Sequence, residues 1–221
     1  MGRPHLAELL DAGNAPAAEV ARSLADLRRI NRWLGGKAVL LDLLEREVRR
    51  AALDRFSLLD VGAASGDLGA AVQARFPKAR VVLCDLKTRH LSGADMLRVV
   101  AAAERLPFRD GSFDFVAVSL LLHHFRDSEA VRLLHFLGRL ARRAVVVNDL
   151  ERHWFPLLFI RLAAPIFARS YLTRHDAPAS IRQAFRPVEF RELARAAGFS
   201  DISVRRHLPW FRLSLVARTH A

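Results

Sequence analysis

The run LLDVGAASGDLG has the composition of a loop that contacts a ligand. A strand pattern ends near Asp60 and is followed by Gly62, Ala64 and Gly66, small residues that let the backbone approach a bound molecule closely. Asp85 ends a second apolar run, 19 residues after the last loop glycine. A carboxylate at that place can accept hydrogen bonds from the two hydroxyls of a ribose. These residues predict a nucleotide-type cofactor site.

A histidine pair, His123 and His124, follows the run FDFVAVS, which reads as a strand. The carboxyl edge of a parallel sheet is where α/β proteins bind ligands, so one of the two rings should face a pocket. An imidazole with a pKa near 6.5 can take a proton from an acceptor hydroxyl, which is typically worth about 10²–10⁴ in rate. The alternative is a pair that packs or only orients a substrate.

Further polar residues follow the next strand pattern. Asn148 and Asp149 end the run RAVVVND, and Arg152 comes shortly after it. They would line an acceptor site together with His175, which lies in a later segment of mixed character, although Asp149 could equally cap the helix that follows. Beyond the adjacent His175 and Asp176, no His, Asp or Glu cluster has the spacing of metal ligands, so no metal is predicted.

Short β-rich runs separated by helical stretches must position these residues. The strands are expected at 56–61, 79–85, 113–119 and 143–149, with a weaker one at Val99 and Val100. Strands that alternate with helices predict a parallel sheet covered on both faces. Two last strands, at 201–206 and 211–217, are close enough in sequence to pair antiparallel.

Apolar residues at helical spacing predict the remaining elements. The helices are expected at 15–32, after Gly35 and Gly36, and at 67–75, 128–141, 154–168 and 187–197. The 221 residues suit one domain. We therefore expect residues 1–221 to form a single domain, with a helical cap at 1–54 and an α/β core at 55–221.

The glycine loop resembles motif I, hhDhGxGxG, of the class I S-adenosylmethionine-dependent methyltransferases. The run ERLPFRDGSFDFVAVSLLLHHF resembles the next stretch of that superfamily, in the branch that methylates quinones, phenols and other small molecules. The similarity extends over residues 56–150 and more loosely over the C-terminal strands. It implies a Rossmann-like, doubly wound, mostly parallel seven-stranded sheet with an antiparallel C-terminal strand.

The resemblance also implies the cofactor, S-adenosylmethionine, and the residues that bind it. These are Asp60, Gly62, Ala64, Gly66, Asp85, Leu86, Ala103, Glu104 and Ser119. The chain departs from the family pattern at Ala102, where an aspartate would accept the adenine amino group. The loss of one neutral hydrogen bond weakens binding by about tenfold.

The activity implied is O-methylation of a phenol, quinol or polyketide-like acceptor that is aromatic or lipid-like, with His123 and His124 as catalytic candidates. A C-methyltransferase would share every cofactor residue. Two rival functions are an RNA methyltransferase, which the net charge of +12 invites, and a degenerate cofactor-fold binding protein, which Ala102 invites.

The charge is carried mainly by dispersed arginines and three lysines, a distribution that argues against a nucleic-acid partner. Peripheral membrane contact and the oligomeric state stay open. The most apolar segment, residues 154–168, is shorter than the roughly 20 residues that cross a bilayer. The single cysteine, Cys84, fits a reducing compartment, and no signal-peptide pattern opens the chain, so a cytoplasmic location is expected.

Overall fold

The computed structural model describes residues 3–88 and 96–219. Its centre is a seven-stranded sheet in the order β3-β2-β1-β4-β5-β7-β6. The strands are β1 (Ser57–Val61), β2 (Arg80–Asp85), β3 (Leu97–Val100), β4 (Phe113–Ser119), β5 (Ala141–Leu150), β6 (Asp201–His207) and β7 (Arg212–Arg218). Strands β1 to β5 pair in parallel, and β7 runs antiparallel to both β5 and β6. The expected fold class, with its antiparallel C-terminal strand, is confirmed.

The eight helices of the described residues cover both faces and one edge of the sheet. They are α1 (Leu9–Ala12), α2 (Ala17–Trp33), α3 (Gly36–Arg50), α4 (Asp67–Arg75), α5 (Asp127–Leu140), α6 (Trp154–Phe167), α7 (Tyr171–Gln183) and α8 (Pro187–Ala196). The six helices expected from apolar spacing are present. The sequence analysis did not predict α1 or α7, since α1 has four residues and α7 mixes polar residues with an internal Pro178.

Alternate side chains of each strand pack on opposite faces, because successive residues of a strand point to opposite sides of the sheet. Leu58 packs with α3 and α4, whereas its neighbour Leu59 packs with α5 and α8. Both leucines are fully buried. The two apolar layers fix the register of the parallel strands and bring their carboxyl ends to one edge.

The N-terminal segment lies across that edge. The Arg3 guanidinium donates to the carbonyls of His123, Phe125 and Gln183. Further along, the backbone N–H groups of Leu9 and Leu10 donate to the two carboxylate oxygens of Asp176 at 2.9 and 3.0 Å. The segment is thereby tied to both the β4 loop and α7. We refer to residues 3–12 as the N-terminal arm.

One expectation about membranes can be compared with the helices directly. Within residues 3–88 and 96–219, no helix combines the length and the apolar character needed to cross a bilayer.

Candidate active site

A cavity of about 450 Å³ opens at the carboxyl ends of β1, β2 and β4 and is closed by α2, α6, α7 and the N-terminal arm. Nine of the residues expected in the site line it. They are Gly62, Ala64, Asp85, Leu86, Ala103, Glu104, Ser119, His123 and His124. The residues come from four separate strand ends, and the parallel sheet is what brings them together.

The loop after β1 brings its backbone close to the cavity at two left-handed positions. Gly62 has φ +73°, and a Cβ there would lie 3.0 Å from Cδ2 of Leu121. Ala64 adopts φ +46° without being a glycine, which costs of order 1 kcal/mol. Its N–H donates to Oδ2 of Asp85 at 2.9 Å. Asp85 therefore holds the loop in this conformation.

Asp85 presents a carboxylate whose position is fixed from two sides. Oδ1 accepts from the backbone N–H of Lys87 at 3.0 Å, while Oδ2 accepts from Ala64. A carboxylate oxygen can accept more than one hydrogen bond. This arrangement fits the ribose-binding role that the sequence predicts for Asp85.

Among the described residues, three buried oxygen atoms of the cavity wall make no hydrogen bond. One of them, Oδ2 of Asp67, lies 3.7 Å from Nζ of Lys37. The other two are Oδ1 of Asn31, at the end of α2, and Oγ of Ser119, at the end of β4. Buried polar atoms are normally satisfied, so these two fit a polar ligand. The sequence analysis predicted Ser119 but not Asn31. Asn31 lies in the run INRWLGG, residues 30–36, whose similarity to the same superfamily is the signal that could have found it.

Two predicted cofactor residues do not line the cavity. Gly66 forms the N-terminal cap of α4 with φ +70°, a role of the turn itself. Asp60 is 1% exposed and lies behind the loop, and neither carboxyl oxygen makes a hydrogen bond. Burial, together with the charges of Asp67 and Asp85, raises the pKa of Asp60 to about 7.

The four residues expected to bind the acceptor lie outside the cavity wall. Nδ2 of Asn148 donates to the carbonyl of Gly36 at 2.9 Å. Arg152 forms an ion pair with Glu189. His175 is exposed and contacts Asp176, and Asp149 is completely buried. Asn148 and Arg152 therefore make their contacts outside the cavity, whereas Asp149 contacts the cavity residue His123.

Asp149 holds His123 in place. Its Oδ1 lies 2.6 Å from Nδ1 of the ring, and its Oδ2 accepts from the His123 backbone N–H at 3.2 Å. On the other side of the ring, Oε1 of Glu8 lies 3.6 Å from Nε2. The imidazole thus sits between two carboxylates.

Those carboxylates change the proton affinity of the ring. Burial alone would lower the pKa of His123, but Asp149 and then Glu8 raise it to about 10. Burial would raise the pKa of Asp149, and the charge of His123 lowers it. A pKa of about 10 favours the imidazolium form of His123 near neutral pH, which would leave no ring nitrogen to accept another proton. The catalytic role expected for His123 stays a prediction, and this arrangement favours a positioning role.

His124 also lies between two carboxylates, but its side chain is more exposed than that of His123. Its side chain is 23% exposed, and its Nδ1 lies 2.9 Å from Oδ2 of Asp11. Because a carboxylate accepts the proton on Nδ1, the neutral ring leaves Nε2 as an acceptor. Nε2 lies 3.8 Å from Oε2 of Glu8. Of the two histidines, His124 is the one placed to exchange a proton with a bound molecule.

Glu8, His123 and His124 also form the kind of group that can hold a cation, since their ligating atoms all lie within 4.8 Å of one another. No spacing in the sequence indicates this cluster, because Glu8 is more than 100 residues away from the histidines. The raised pKa of His123 would let its protonated ring supply positive charge between Glu8 and Asp149.

The sequence analysis missed the contribution of three chain segments that close the cavity. Glu8 and Asp11 come from the N-terminal arm, Ser180 comes from α7, and Arg212 begins β7. Ser180 donates from Oγ to Glu8 at 2.6 Å. No motif marks these residues, since each is brought to the site by packing between elements far apart in sequence.

Comparison with known proteins supports the methyltransferase resemblance. Residues 58–144 match the family model described as a methyltransferase domain. A search of curated proteins gave no significant match.

Solved structures share the fold at low sequence identity. Magnesium protoporphyrin IX methyltransferase from Synechocystis PCC 6803, with bound SAH, is 15% identical with a TM-score of 0.59, and the match covers 90% of this chain and 94% of that one. Human N-acetylserotonin methyltransferase, in complex with SAM, is 17% identical with a TM-score of 0.56, covering 96% and 62%. The CurJ carbon methyltransferase is 14% identical with a TM-score of 0.62, covering 84% and 54%. The chain thus spans little more than half the length of some of these proteins.

The match to the domain model contains the glycine loop, Asp85 and the histidine pair, which are the residues that carry the resemblance. The sheet around them has the order and the antiparallel strand that the resemblance implies. That family uses S-adenosylmethionine as its methyl donor. Residues 58–144 therefore resemble a methyltransferase domain, and the sheet around them has the fold that solved methyltransferases with bound SAM or SAH share.

Proposed function

We propose that this protein transfers a methyl group from S-adenosylmethionine to an oxygen of a small aromatic or lipid-like molecule. The observation that carries the proposal is one cavity whose wall contains both the cofactor loop with Asp85 and the pair His124 and Asp11. A carbon methyltransferase would share the cofactor residues, so the histidine end of the cavity is what favours an oxygen acceptor.

The residues of the cofactor end fit the donor by their chemistry. Asp85 would accept the ribose hydroxyls, Asn31 and Ser119 would accept hydrogen bonds through their unpartnered oxygens, and the backbone of Ala103 would face the adenine. When bound, S-adenosylmethionine supplies an electrophilic methyl group on a sulfonium. The protein contributes alignment of the two reactants, which is worth several kcal/mol in well-oriented reactions.

The acceptor end excludes water and holds a proton acceptor. Apolar side chains from α2 and α6, among them Leu27, Ile30 and Phe159, line this part of the cavity. We propose His124 as the base that takes the acceptor proton at Nε2, with Asp11 fixing its Nδ1. His123 acts as a positioning residue, because it carries its proton already and holds Glu8 and Asp149 in place.

Calorimetric titration with S-adenosylmethionine and S-adenosylhomocysteine tests the cofactor site. We expect saturable binding of both, and Asp85→Ala should weaken it about 100-fold, since a hydrogen bond to a charged group contributes about 1.5–3 kcal/mol. Asp54→Ala removes an exposed carboxylate outside the cavity and should leave the affinity unchanged. A folded wild-type protein that bound neither ligand would instead support the degenerate binding module.

The histidine assignment needs a rate measurement. In a screen of phenols and quinols, His124→Gln should lower kcat about 100-fold on any acceptor that turns over, with little change in KM. His135→Gln is the control, because His135 bonds the Ala197 carbonyl away from the cavity. Equal activity of His124→Gln and wild type would show that alignment alone suffices.

We further propose that the exposed apolar face of α6 contacts an anionic membrane surface. Trp154, Leu158, Leu162, Ile166 and Phe167 are between 48% and 78% exposed. Contiguous exposed apolar residues mark an interaction site. The exposed Arg161 and Arg169 lie on or beside this face, and the chain carries a net charge of +12. Basic charge next to apolar side chains fits anionic lipid, and a lipid-like acceptor in contact with the cavity-lining Phe159 would lie beside this surface.

Vesicle flotation tests this contact. Wild type should float with vesicles that contain phosphatidylglycerol and less with pure phosphatidylcholine, and the double variant Leu162→Gln/Ile166→Gln should float with neither. Val188→Gln, at an exposed apolar position on α8, is the control. A face covered by a second copy would show as a dimer that the double variant dissociates. Such a peripheral contact agrees with the cytoplasmic location that we propose.

A further inference from the structure

Arg212 is an unusual residue in the cavity wall. It begins β7, its side chain is completely buried, and it lines the cavity. Nε donates to the Leu34 carbonyl at 3.0 Å, but neither terminal nitrogen has a hydrogen-bond partner among residues 3–88 and 96–219. Buried guanidinium groups are normally paired, because the removal of an unpaired charge from water is strongly unfavourable. The two unpartnered nitrogens therefore indicate a partner outside the described part of the chain.

The carboxylates around the cavity are already engaged. Burial lowers the pKa of Arg212 to about 10, and the charge of Asp149 partly opposes this fall. The oxygens of Asp149 bond His123 and the backbone of Leu150. Asp176 accepts two backbone N–H groups of the N-terminal arm, and Glu8 accepts from Ser180 and Gln183. Each of these acids has hydrogen-bond donors other than Arg212.

The residues around Arg212 indicate the chemical character of the rest of the missing ligand. Phe211 precedes it in a left-handed conformation, φ +53°. The Phe211 ring packs against Phe155 and Phe159 of α6 with centroids 5.6 and 5.3 Å apart. Trp210, Phe211 and Phe159 line the same cavity as Arg212. The partner therefore combines an apolar, flat surface with an anion.

We propose that Arg212 binds a carboxylate of the methyl acceptor, so that the substrate is an apolar or aromatic acid. The two terminal nitrogens of a guanidinium match the two oxygens of a carboxylate, which makes such pairs bidentate. The proposal rests on the proposed function, because it names the acceptor of that reaction.

S-adenosylmethionine also carries a carboxylate, which could be the partner of Arg212 instead of a carboxylate of the acceptor. The order of the strands distinguishes these two possibilities. Asp85 lies on β2, and the order β2-β1-β4-β5-β7 puts four strand spacings between it and Arg212. With neighbouring strands about 4.8 Å apart, this is roughly 19 Å along the sheet. Asp85 and Arg212 therefore lie at opposite ends of the cavity wall, and a ribose bound at Asp85 would be far from Arg212.

The test compares 4-hydroxycinnamate with its neutral amide, by calorimetry on the protein saturated with S-adenosylhomocysteine. Wild type should bind the acid at least about tenfold more tightly than the amide. Arg212→Met should remove this preference, and Arg212→Lys, which keeps the charge but not the two-pronged geometry, should reduce it. The affinity for S-adenosylhomocysteine should stay within about twofold in all three proteins. Arg205→Gln, an exposed arginine of β6, is the matched control.

Several results would overturn the proposal. One is a wild type that binds neither probe or binds both equally, and another is a preference for the acid that survives Arg212→Met. A third is a loss of S-adenosylhomocysteine affinity in the Arg212 variants, because that would assign the arginine to the cofactor. Arg212→Lys keeps the test decisive if Arg212→Met fails to fold. A wild type that binds the acid selectively but not S-adenosylhomocysteine would refute the methyltransferase proposal and leave the anion site standing.

Discussion

Two buried carboxyl groups at the same edge of the sheet behave in opposite ways. Asp60, behind the cofactor loop, makes no hydrogen bond through either oxygen, and its pKa rises to about 7. Asp149, at the acceptor end, is just as buried, but contact with His123 lowers its pKa. The difference shows that burial does not decide the charge of these groups. The decisive factor is whether a partner is built beside them.

The two ends of the cavity differ in the same sense. At the cofactor end, Gly62, Ala64 and Asp85 lie within one β-α-β unit and offer backbone groups and one carboxylate to the cavity. At the acceptor end, Glu8 and Asp149 lie on either side of His123, so that their charges can compensate one another. The terminal nitrogens of Arg212 have no hydrogen-bond partner among the described residues. The following changes test this division, beginning with the largest expected effect.

Asp149→Asn should lower the free energy of unfolding by about 3–5 kcal/mol at pH 6, since removal of one partner leaves a buried ion unpaired. The folded pKa of His123, about 10, exceeds its ordinary 6.5. Its stabilisation is therefore complete below pH 6.5 and is lost as the pH rises through 10. Urea unfolding at pH 6 and pH 10 should show a smaller difference between variant and wild type at the higher pH.

The matched control for that change is Asp110→Asn, which breaks an exposed pair with Arg139. An exposed pair contributes at most about 1 kcal/mol. If the two variants lost equal stability, the acceptor cluster would not be the electrostatic centre that the distances indicate.

Asp60→Asn should change the pH dependence of stability at the cofactor end. The folded pKa of about 7 lies above the ordinary 3.8, so wild type loses stability as the pH rises from about 4 to 7, by roughly 3–4 kcal/mol. The asparagine variant cannot ionise and should lack this slope. Thermal unfolding between pH 4 and pH 7.5 measures it, and parallel curves for the two proteins would contradict an isolated carboxyl at position 60.

Ala102→Asp restores the acid that the family pattern places before Ala103. It should tighten S-adenosylhomocysteine binding by about tenfold, as one added hydrogen bond does. Ala101→Asp serves as the comparison, because it adds the same charge one residue earlier. No gain at position 102 would mean that the cofactor end recognises adenine through backbone and packing alone.

Ala64→Gly should have the smallest effect. The left-handed φ of +46° disfavours alanine, and glycine relieves that strain but gains entropy in the unfolded chain. The net change should be below about 1 kcal/mol. A chemical denaturation curve would measure it, and Ala63→Gly, without a left-handed φ, should be destabilising instead.

Gly62, Ala64, Asp85 and Ser119 were predicted to lie together and they line one cavity, while their role in binding a cofactor stays a prediction. The glycine loop, Asp85 and Ser119 follow strand patterns that alternate with helices, so their position at one edge follows from the topology. The expected strands and most helices are present within a few residues. Asn148, Arg152 and His175 were predicted to line the acceptor site, but they do not line the cavity. Their side chains contact backbone or ion-pair partners, which for Asn148 and Arg152 come from other elements through packing.

Glu8, Asp11 and Arg212 could not be predicted for a related reason. The chain gives no local signal for an acid that meets a histidine more than 100 residues away, or for an arginine whose burial depends on a helix turn at Leu34. The pKa of His123 was expected near 6.5 because its two carboxylate neighbours are invisible in a linear pattern.

The N-terminal arm has a consequence for how such an enzyme can diversify. Residues 3–12 reach the acceptor end through Arg3, Glu8 and Asp11, yet they form none of the sheet. Exchange of these few residues between homologous enzymes could redirect substrate choice while the donor site stays as it is. Evolution could therefore vary the two halves of the reaction at different rates.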